Sequence, residues 1–379
     1  MIILHVVGAR PNFMKVAPVH RAIGQYPQIK QILVHTGQHY DINMSDIFFQ
    51  QLGIPAPDIN LEVGSGSHAV QTAQIMMRFE EVVLKEKPDL LLVYGDINST
   101  VAAALVCAKL GIRLGHVEAG LRSFDRTMPE EINRLLTDQI ADLLFTPSQD
   151  GDENLLREGV AQEKIHFVGN VMIDTLVRLL PFALERWQNG RFALDGLTVD
   201  QERYALVTLH RPSNVDEPVM LAEIMAALVD ISRDVPVIFP IHPRTRQRLR
   251  DLNLLAPKAA DQNLKFINPI GYLDFLALQR YAKLVITDSG GIQEETTYLN
   301  VPCLTVRENT ERPVTVTMGT NILVGRDMGR LRTETGRILQ GEIRKGQPPP
   351  LWDGHAAERI AAILVMVIAE GIIKEKSQP

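Results

Sequence analysis

The chain holds only two cysteines, Cys107 and Cys303, far apart and each in an apolar context. Neither metal-ligand nor redox spacing is present, so both are expected as buried, reduced thiols. Basic charge is also in deficit: 39 Lys and Arg stand against 45 Asp and Glu, a net charge of −6. With no dominant basic stripe, nucleic acid is not an expected partner. Long hydrophobic runs are missing too. The longest, residues 360–369, is too short to span a bilayer and reads as a packed C-terminal helix. The opening stretch M-I-I-L-H-V-V-G-A-R-P has no basic segment before its apolar run. It is therefore not a signal peptide, and a cytoplasmic, non-membrane protein is expected. Two nucleotide signatures are absent as well. No strand-like run is followed by G-x-G-x-x-G, and no G-x-x-x-x-G-K-[ST] loop occurs. NAD-dependent chemistry and ATP hydrolysis both lose ground.

What is present is the pattern of a doubly wound α/β protein. The chain has 379 residues, 45% hydrophobic and 22% charged, enough for two ordinary domains with a core each. Strand-like runs I-I-L-H-V-V, Q-I-L-V-H-T, D-L-L-L-V-Y-G, I-R-L-G-H-V-E and I-H-F-V-G alternate with helical segments in the first half. A helical stretch comes next at about 171–188, and a second series then starts: Y-A-L-V-T-L-H, V-P-V-I-F-P-I-H, L-K-F-I-N, K-L-V-I-T, V-P-C-L-T-V and N-I-L-V-G. The expected domains are 1–170 and 171–354, each a parallel sheet covered by helices, with a last helix (355–379) packing on either. No short repeat and no low-complexity tract interrupts the chain.

Ligands of open α/β sheets bind beyond the carboxyl ends of the strands, and the unusual residues lie at such ends. In the first half, Gly8 and Pro11 shape a turn into a helix, while Arg10 and Lys15 set cations beside its start, an arrangement suited to a phosphate. The run L-L-L-V-Y-G is followed by Asp96, and I-R-L-G-H-V-E delivers His116 and Glu118. In P-E-E-I-N-R, Glu131 and Arg134 are three apart and can pair on one helical face, with Arg134 counted among the substrate-binding residues. Asp96, Glu118 and Glu131 would converge on one crevice as general acids and bases.

The second half carries a different set. Two strand ends supply His210-Arg211 and His242-Pro243-Arg244, which favour an anionic ligand. In T-D-S-G-G-I-Q-E-E, Ser289, Gly290 and Gly291 offer backbone amides at a helix start, suited to a pyrophosphate. Glu295, one turn further, is placed to accept hydrogen bonds from a ribose diol. Arg312 is placed to clamp the nucleotide, while Arg307 pairs with acidic neighbours.

Taken together, G-A-R-P-N-F-M-K, T-G-Q-H-Y, G-D-I-N-S-T, H-V-E-A-G-L-R-S, P-E-E-I-N-R, T-L-H-R-P-S-N, I-H-P-R, T-D-S-G-G-I-Q-E-E and T-E-R-P resemble the non-hydrolysing UDP-N-acetylglucosamine 2-epimerases over nearly the whole chain. The resemblance implies a GT-B fold, two Rossmann-like domains with the active site in the cleft between them. It implies a homodimer, a UDP-sugar substrate, and no metal or redox cofactor. Contacts to the nucleotide would include Arg10, Lys15, His210, Phe275, Ser289, Gly290, Glu295 and Arg312. Activity would depend on Asp96, Glu118, Glu131 and His210.

The carboxylates then make chemical sense. The C2 hydrogen of N-acetylglucosamine has no neighbouring ring carbonyl and is not acidic. Without NAD, the remaining route expels UDP from C1 as a base takes the C2 proton, leaving 2-acetamidoglucal. UDP then adds back with a proton on the other face. One departure stands out: bacterial relatives that use a second UDP-N-acetylglucosamine as activator carry an Arg-Gln pair, and here Val70 precedes Gln71. Gln38 and His39 remain and would line the active site. Ile270 replaces a glutamine that contacts uracil in some relatives. The alternatives are an epimerase of a UDP-diacetamido-uronic acid, a GT-B glycosyltransferase, which would need an acceptor groove, and a sensor that binds without turnover.

Overall fold

The computed structural model describes residues 1–37, 52–188, 203–255, 263–342 and 344–369, with Arg10 and residues 368–369 described in their backbone alone. It divides into two compact units, Met1–Thr175 with the chain from Pro350 on, and Leu176–Pro349.

The first unit is built on β1 (Ile2–Val7), β2 (Lys30–His35), β3 (Ile59–Asn60), β4 (Leu90–Tyr94), β5 (Arg113–Val117), β6 (Leu143–Thr146) and β7 (Ile165–Phe167). Every pairing is parallel, in the order β3-β2-β1-β4-β5-β6-β7. Strand β4, L-L-L-V-Y, is buried at every position, as a strand covered on both faces must be. The second unit holds β8 (Ala205–Thr208), β9 (Val237–Pro240), β10 (Leu264–Ile267), β11 (Leu284–Thr287), β12 (Cys303–Thr305) and β13 (Asn321–Leu323). They too pair in parallel, in the order β10-β9-β8-β11-β12-β13.

Both orders follow the doubly wound 3-2-1-4-5-6 scheme, in which winding reverses between the first and fourth strands and opens a crevice there. The reversal lies between β1 and β4 in one unit and between β8 and β11 in the other. The expected α/β fold of two parallel sheets is thus present. Two strands have no counterpart in the sequence pattern: β3 has two residues and β6 four, too few to show a period.

Three helices set the geometry of the first unit. The helix Arg10–Ile23 starts directly after β1 with Pro11 in its first turn, where a missing amide hydrogen costs nothing. The helix Pro129–Ile140 is inside out. It buries Glu131, Asn133, Arg134, Thr137 and Asp138 and exposes Ile132 and Leu136. The helix Ala356–Ala369 packs against Arg10–Ile23 within the same unit. Its amides at Ala356 and Ala357 donate to Asp174, at 3.1 and 2.7 Å. Cys107 and Cys303 are buried free thiols, and burial pushes them up to about 12 and about 11. Among the described residues, no helix is long and apolar enough to cross a membrane.

Candidate active site

The first crevice gathers the predicted carboxylates. Gly95 comes directly after β4 with φ of 63°, a conformation that strains any residue with a Cβ. A Cβ there would also run into Lys15 Nζ and Glu118 Oε2. Glu118 comes directly after β5 and is itself left-handed, φ 75°, an outlier of the kind found at functional sites. It is buried and ion-paired to Lys15, likewise buried. The sequence suggests Lys15 as a phosphate contact; the structure places it over Gly95 and against this carboxylate.

Arg134 joins the other two acids. Its guanidinium pairs with Asp96 and, at 2.8 Å, with Glu131, the three-residue helical pair legible in the sequence. Glu131 also accepts from the Ser123 amide and hydroxyl, both 3.0 Å, and from the Phe124 amide at 2.9 Å. Burial would lift its carboxyl, but those amides and Arg134 more than offset it and hold it below its ordinary value. Asp96 is the partly exposed member. Ile97 is the N-cap of the helix Asn98–Lys109, and the Asp96 side chain goes to Arg134.

A second buried layer supports this one. The His116 ring sits between Asp138 Oδ1 (2.6 Å) and the Gly95 carbonyl (2.8 Å). The carboxylate and the carbonyl hold the ring from both sides. Asp138 also takes the Gly120 amide at 3.1 Å and Arg122 at 2.7 Å, and Arg122 closes a bidentate pair with Glu158. Burial works against the charged Asp138, but His116 and Arg122 outweigh it, so its carboxyl lies below the usual range. Beside Asp96 opens a cavity of 260 Å³ lined by His68, Gln71, Asn98, Pro129, Glu130 and Asn133 among others. Small-molecule sites are typically about 300–1,000 Å³, so this space takes only part of a ligand as large as a nucleotide sugar.

At the second crevice the groups are arranged otherwise. His210 and Arg211 lie just beyond β8, and Asp288 just beyond β11. The fully buried Asp288 accepts from the His210 amide, the Arg211 amide and Asn214 Nδ2, all within 3.1 Å. The helix Gly290–Leu299 starts two residues later with Ser289 as N-cap and no side-chain cap. Gly290 is dictated by space, since a Cβ would collide with the Arg312 guanidinium. Arg312 donates to Glu294 and Glu311, each at 2.7 Å. Arg307 takes the other Glu311 oxygen, also at 2.7 Å. Burial opposes the Glu311 charge, but these arginines hold its carboxyl far below the usual range.

Glu295 is buried, and its oxygens receive Tyr272 Oη at 2.8 Å and, with the amide correctly turned, Gln279 at 2.9 Å. Burial pushes its carboxyl up to about 7, aided by the neighbouring Glu294 charge. Phe275 lies half-buried on the helix Tyr272–Arg280, and the exposed His242 caps the helix Pro243–Asp251. Gln38, His39 and the Arg10 side chain fall outside the described residues.

Sequence reasoning misses the supporting residues. Asp138 is legible in principle, because it lies seven after Glu131 and four after Arg134 on the same helical face. Asp288 stands inside T-D-S-G-G-I-Q-E-E with nothing local to give it a role. The Tyr272 and Gln279 contacts to Glu295 carry no sequence signal, since they depend on how one helix packs on another.

Comparison with known proteins shows the family and the fold. The family profile described as UDP-N-acetylglucosamine 2-epimerase matches residues 21–365. A protein of that name from Methanocaldococcus jannaschii is 45% identical over 361 residues, covering 95% of this chain and 97% of the relative. A UDP-2,3-diacetamido-2,3-dideoxy-D-glucuronate 2-epimerase from Pseudomonas aeruginosa is 44% identical, covering 96% and 99%. The crystal structure of the M. jannaschii enzyme in complex with UDP-GlcNAc and UDP superposes with a TM-score of 0.88 at 44% identity, covering 97% and 100%.

Proposed function

Since this chain belongs to the UDP-N-acetylglucosamine 2-epimerase family, we propose that it interconverts UDP-N-acetylglucosamine and UDP-N-acetylmannosamine. The observation that carries the reading is the set Asp96, Glu118 and Glu131, held around Lys15 and Arg134 at a strand crevice. A C2 proton must leave from one face of the sugar and return on the other, and such a step needs fixed proton-transfer groups.

In the forward half-reaction the C2–H electron pair becomes the C1=C2 double bond, the proton passes to a carboxylate, and the C1–O pair departs with UDP. The reverse addition delivers a proton to the opposite face of C2 and restores the bond from C1 to the phosphate oxygen. Asp96, partly exposed at the cavity, is the group best placed to reach the sugar. Glu118, paired to Lys15, can exchange a proton with it. Glu131, saturated by amides and Arg134, orients that arginine. The second unit would hold UDP, with the amides of Ser289 to Gly291 and the cation of Arg312 on the diphosphate.

A second substrate has one observation in its favour: the relative named for a UDP-diacetamido-glucuronate is as similar as those named for UDP-N-acetylglucosamine. Proton NMR in heavy water, with each UDP-sugar in turn and no added cofactor, separates the two. The expected result is a new manno anomeric signal with deuterium entering C2 of both sugars. Exchange with the uronate alone would move the substrate assignment. Clear UDP binding without exchange on either sugar would favour a transferase.

We also propose a homodimer. The helix His68–Glu86 exposes Val70, Met77 and Leu84, seven residues apart, and the inside-out helix exposes Ile132 and Leu136. Such apolar stripes mark interaction surfaces. Sedimentation should give a dimer for the native chain and monomer for Met77→Glu; an unchanged dimer would place the interface elsewhere.

A further inference from the structure

Beneath the exposed His210 ring lies a carboxylate to which the epimerisation scheme gives no task. Asp288 has no exposed side-chain surface, and its Oδ1 is 2.9 Å from His210 Nδ1. The same carboxylate takes the His210 and Arg211 amides and Asn214 Nδ2. Three donors besides the ring, from residues 210–214, therefore fix its position, and the ring rests on a rigid acceptor. We propose that Asp288 is a positioning residue that locks His210 with a hydrogen on Nδ1 and turns Nε2 toward the ligand.

Donors and acceptors decide the tautomer. An ionised carboxylate only accepts, so the facing Nδ1 must donate. Which ring nitrogen acts is set by the bond the other one makes. With Nδ1 committed and the side chain 56% exposed, Nε2 is the atom left for chemistry. The assignment rests on the nucleotide-sugar reading for what Nε2 meets, namely the diphosphate. When the ring is doubly protonated, Nε2–H can donate to the phosphate oxygen that receives the C1–O electron pair, while the carboxylate beneath stabilises the cation. Arg211 and Glu311, 3.6 Å apart, also carry charge beside this loop, and Asp216 at the end of the short helix Pro212–Val215 pairs with Arg244. Arg211 Nε donates to the Asp288 carbonyl, so that arginine braces the loop and leaves the carboxylate to the histidine. The arrangement repeats the logic of a buried aspartate that holds a catalytic imidazole in one tautomer, here on an unrelated loop.

The test uses the full-length chain with ¹⁵N-labelled histidine. His210 ring signals are assigned by their loss in His210→Gln, and the neutral ring is expected to carry its hydrogen on Nδ1. A neutral ring protonated on Nε2, or a mixture in fast exchange, overturns the proposal on the native chain itself. Asp288→Asn, if folded, should lower epimerisation at least ~100-fold while UDP affinity stays within ~10-fold, because the amide can donate and release the tautomer. In a His210→Gln background the same change should cost less than ~3-fold, since a residue that acts through another has nothing left to position. Costs that multiply in the double variant would show a separate structural role and sink the assignment. Should the native chain epimerise no UDP-sugar while its ring carries the Nδ1 hydrogen, the substrate reading falls and the positioning assignment stands.

Discussion

The same strand order occurs twice in this chain, and the two crevices it opens are furnished in opposite ways. Around β1 and β4, burial is answered by charge: Lys15 meets Glu118, Arg134 meets Asp96 and Glu131, and Asp138 meets His116 and Arg122. Both carboxyls there with a resolved shift, Glu131 and Asp138, move down. Around β8 and β11 the carboxylates are split. Glu311 and Asp288 are held ionised by arginines or by donors from the His210 loop, whereas Glu295 is left to a phenol and an amide and rises to about 7. One fold thus supports two electrostatic tasks. The first crevice fixes its acids with cations, and under the proposed function these would move protons. The second sets helix-start amides, the exposed His210 and a buttressed arginine near one neutral-leaning acid, and under the proposed function these would meet the diphosphate and the ribose.

The largest break in that contrast should come from Asp96→Asn. If the first crevice moves protons and the second binds UDP, exchange at C2 falls by about 10²–10⁴-fold, the usual worth of a general acid or base, and UDP affinity by calorimetry stays within ~10-fold. A folded variant that no longer binds UDP would make Asp96 a ligand contact and dissolve the division of labour. Next in size is Arg134→Met, which leaves Glu131 buried without its cation. Removing one partner of a buried pair costs about 3–5 kcal/mol, so the urea midpoint should fall sharply. A loss below ~1 kcal/mol would mean that the Ser123 and Phe124 amides alone satisfy Glu131.

Those two residues also mark how far the sequence can be read. Asp96 and Glu118 announce themselves by ending apolar runs, and the strand series in the second half matches all six strands, because parallel strands covered on both faces are continuous apolar words. Arg134 is legible as a helical partner of Glu131, yet its bond to Asp96, 38 positions away, depends on two strand ends lying side by side. The Lys15 partner is hidden for the same reason. A lysine near a turn and a glycine looks like a phosphate contact, and only the fold brings Glu118, 103 positions later, beneath it. Charge-to-charge distances across a sheet are set by strand order, which local pattern does not contain.

The raised acid of the second crevice gives a prediction in pH. The Glu295 carboxyl moves from 4.5 to about 7 on folding. Between those values the folded chain holds a proton that the unfolded chain has released. Stability contributed by this group is therefore full below 4.5 and lost as pH rises to about 7, by about 3 kcal/mol in all. In Glu295→Gln that slope should vanish, and the variant should match or exceed the parent at pH 8. An unchanged slope between pH 5 and 7 would assign it to another group, of which Asp174, lifted to about 6 by burial, is the nearest competitor. Asp174→Asn run alongside separates the two, since its effect is confined to the lower part of the range.

The smallest expected effect tests whether the arginine of the second crevice serves the anion or only its own scaffold. Arg312 is spread over Glu294 and Glu311 and lies against Gly290 at the helix start. Arg312→Ala should weaken UDP by about 1.5–3 kcal/mol, the worth of a charged hydrogen bond. That result alone is ambiguous, because freeing two buried carboxylates beside the amides would also repel an anion. Arg312→Lys resolves it. A lysine restores one positive charge but cannot bridge two carboxylates as a planar fork does. If the cation itself holds the diphosphate, lysine recovers most of the affinity. If Arg312 works by tying Glu294 and Glu311 together, lysine binds UDP as poorly as alanine, and the anion is held by the helix amides alone. Unchanged affinity in both variants removes Arg312 from the nucleotide site and leaves the contrast between the crevices resting on His210 and the glycine loop.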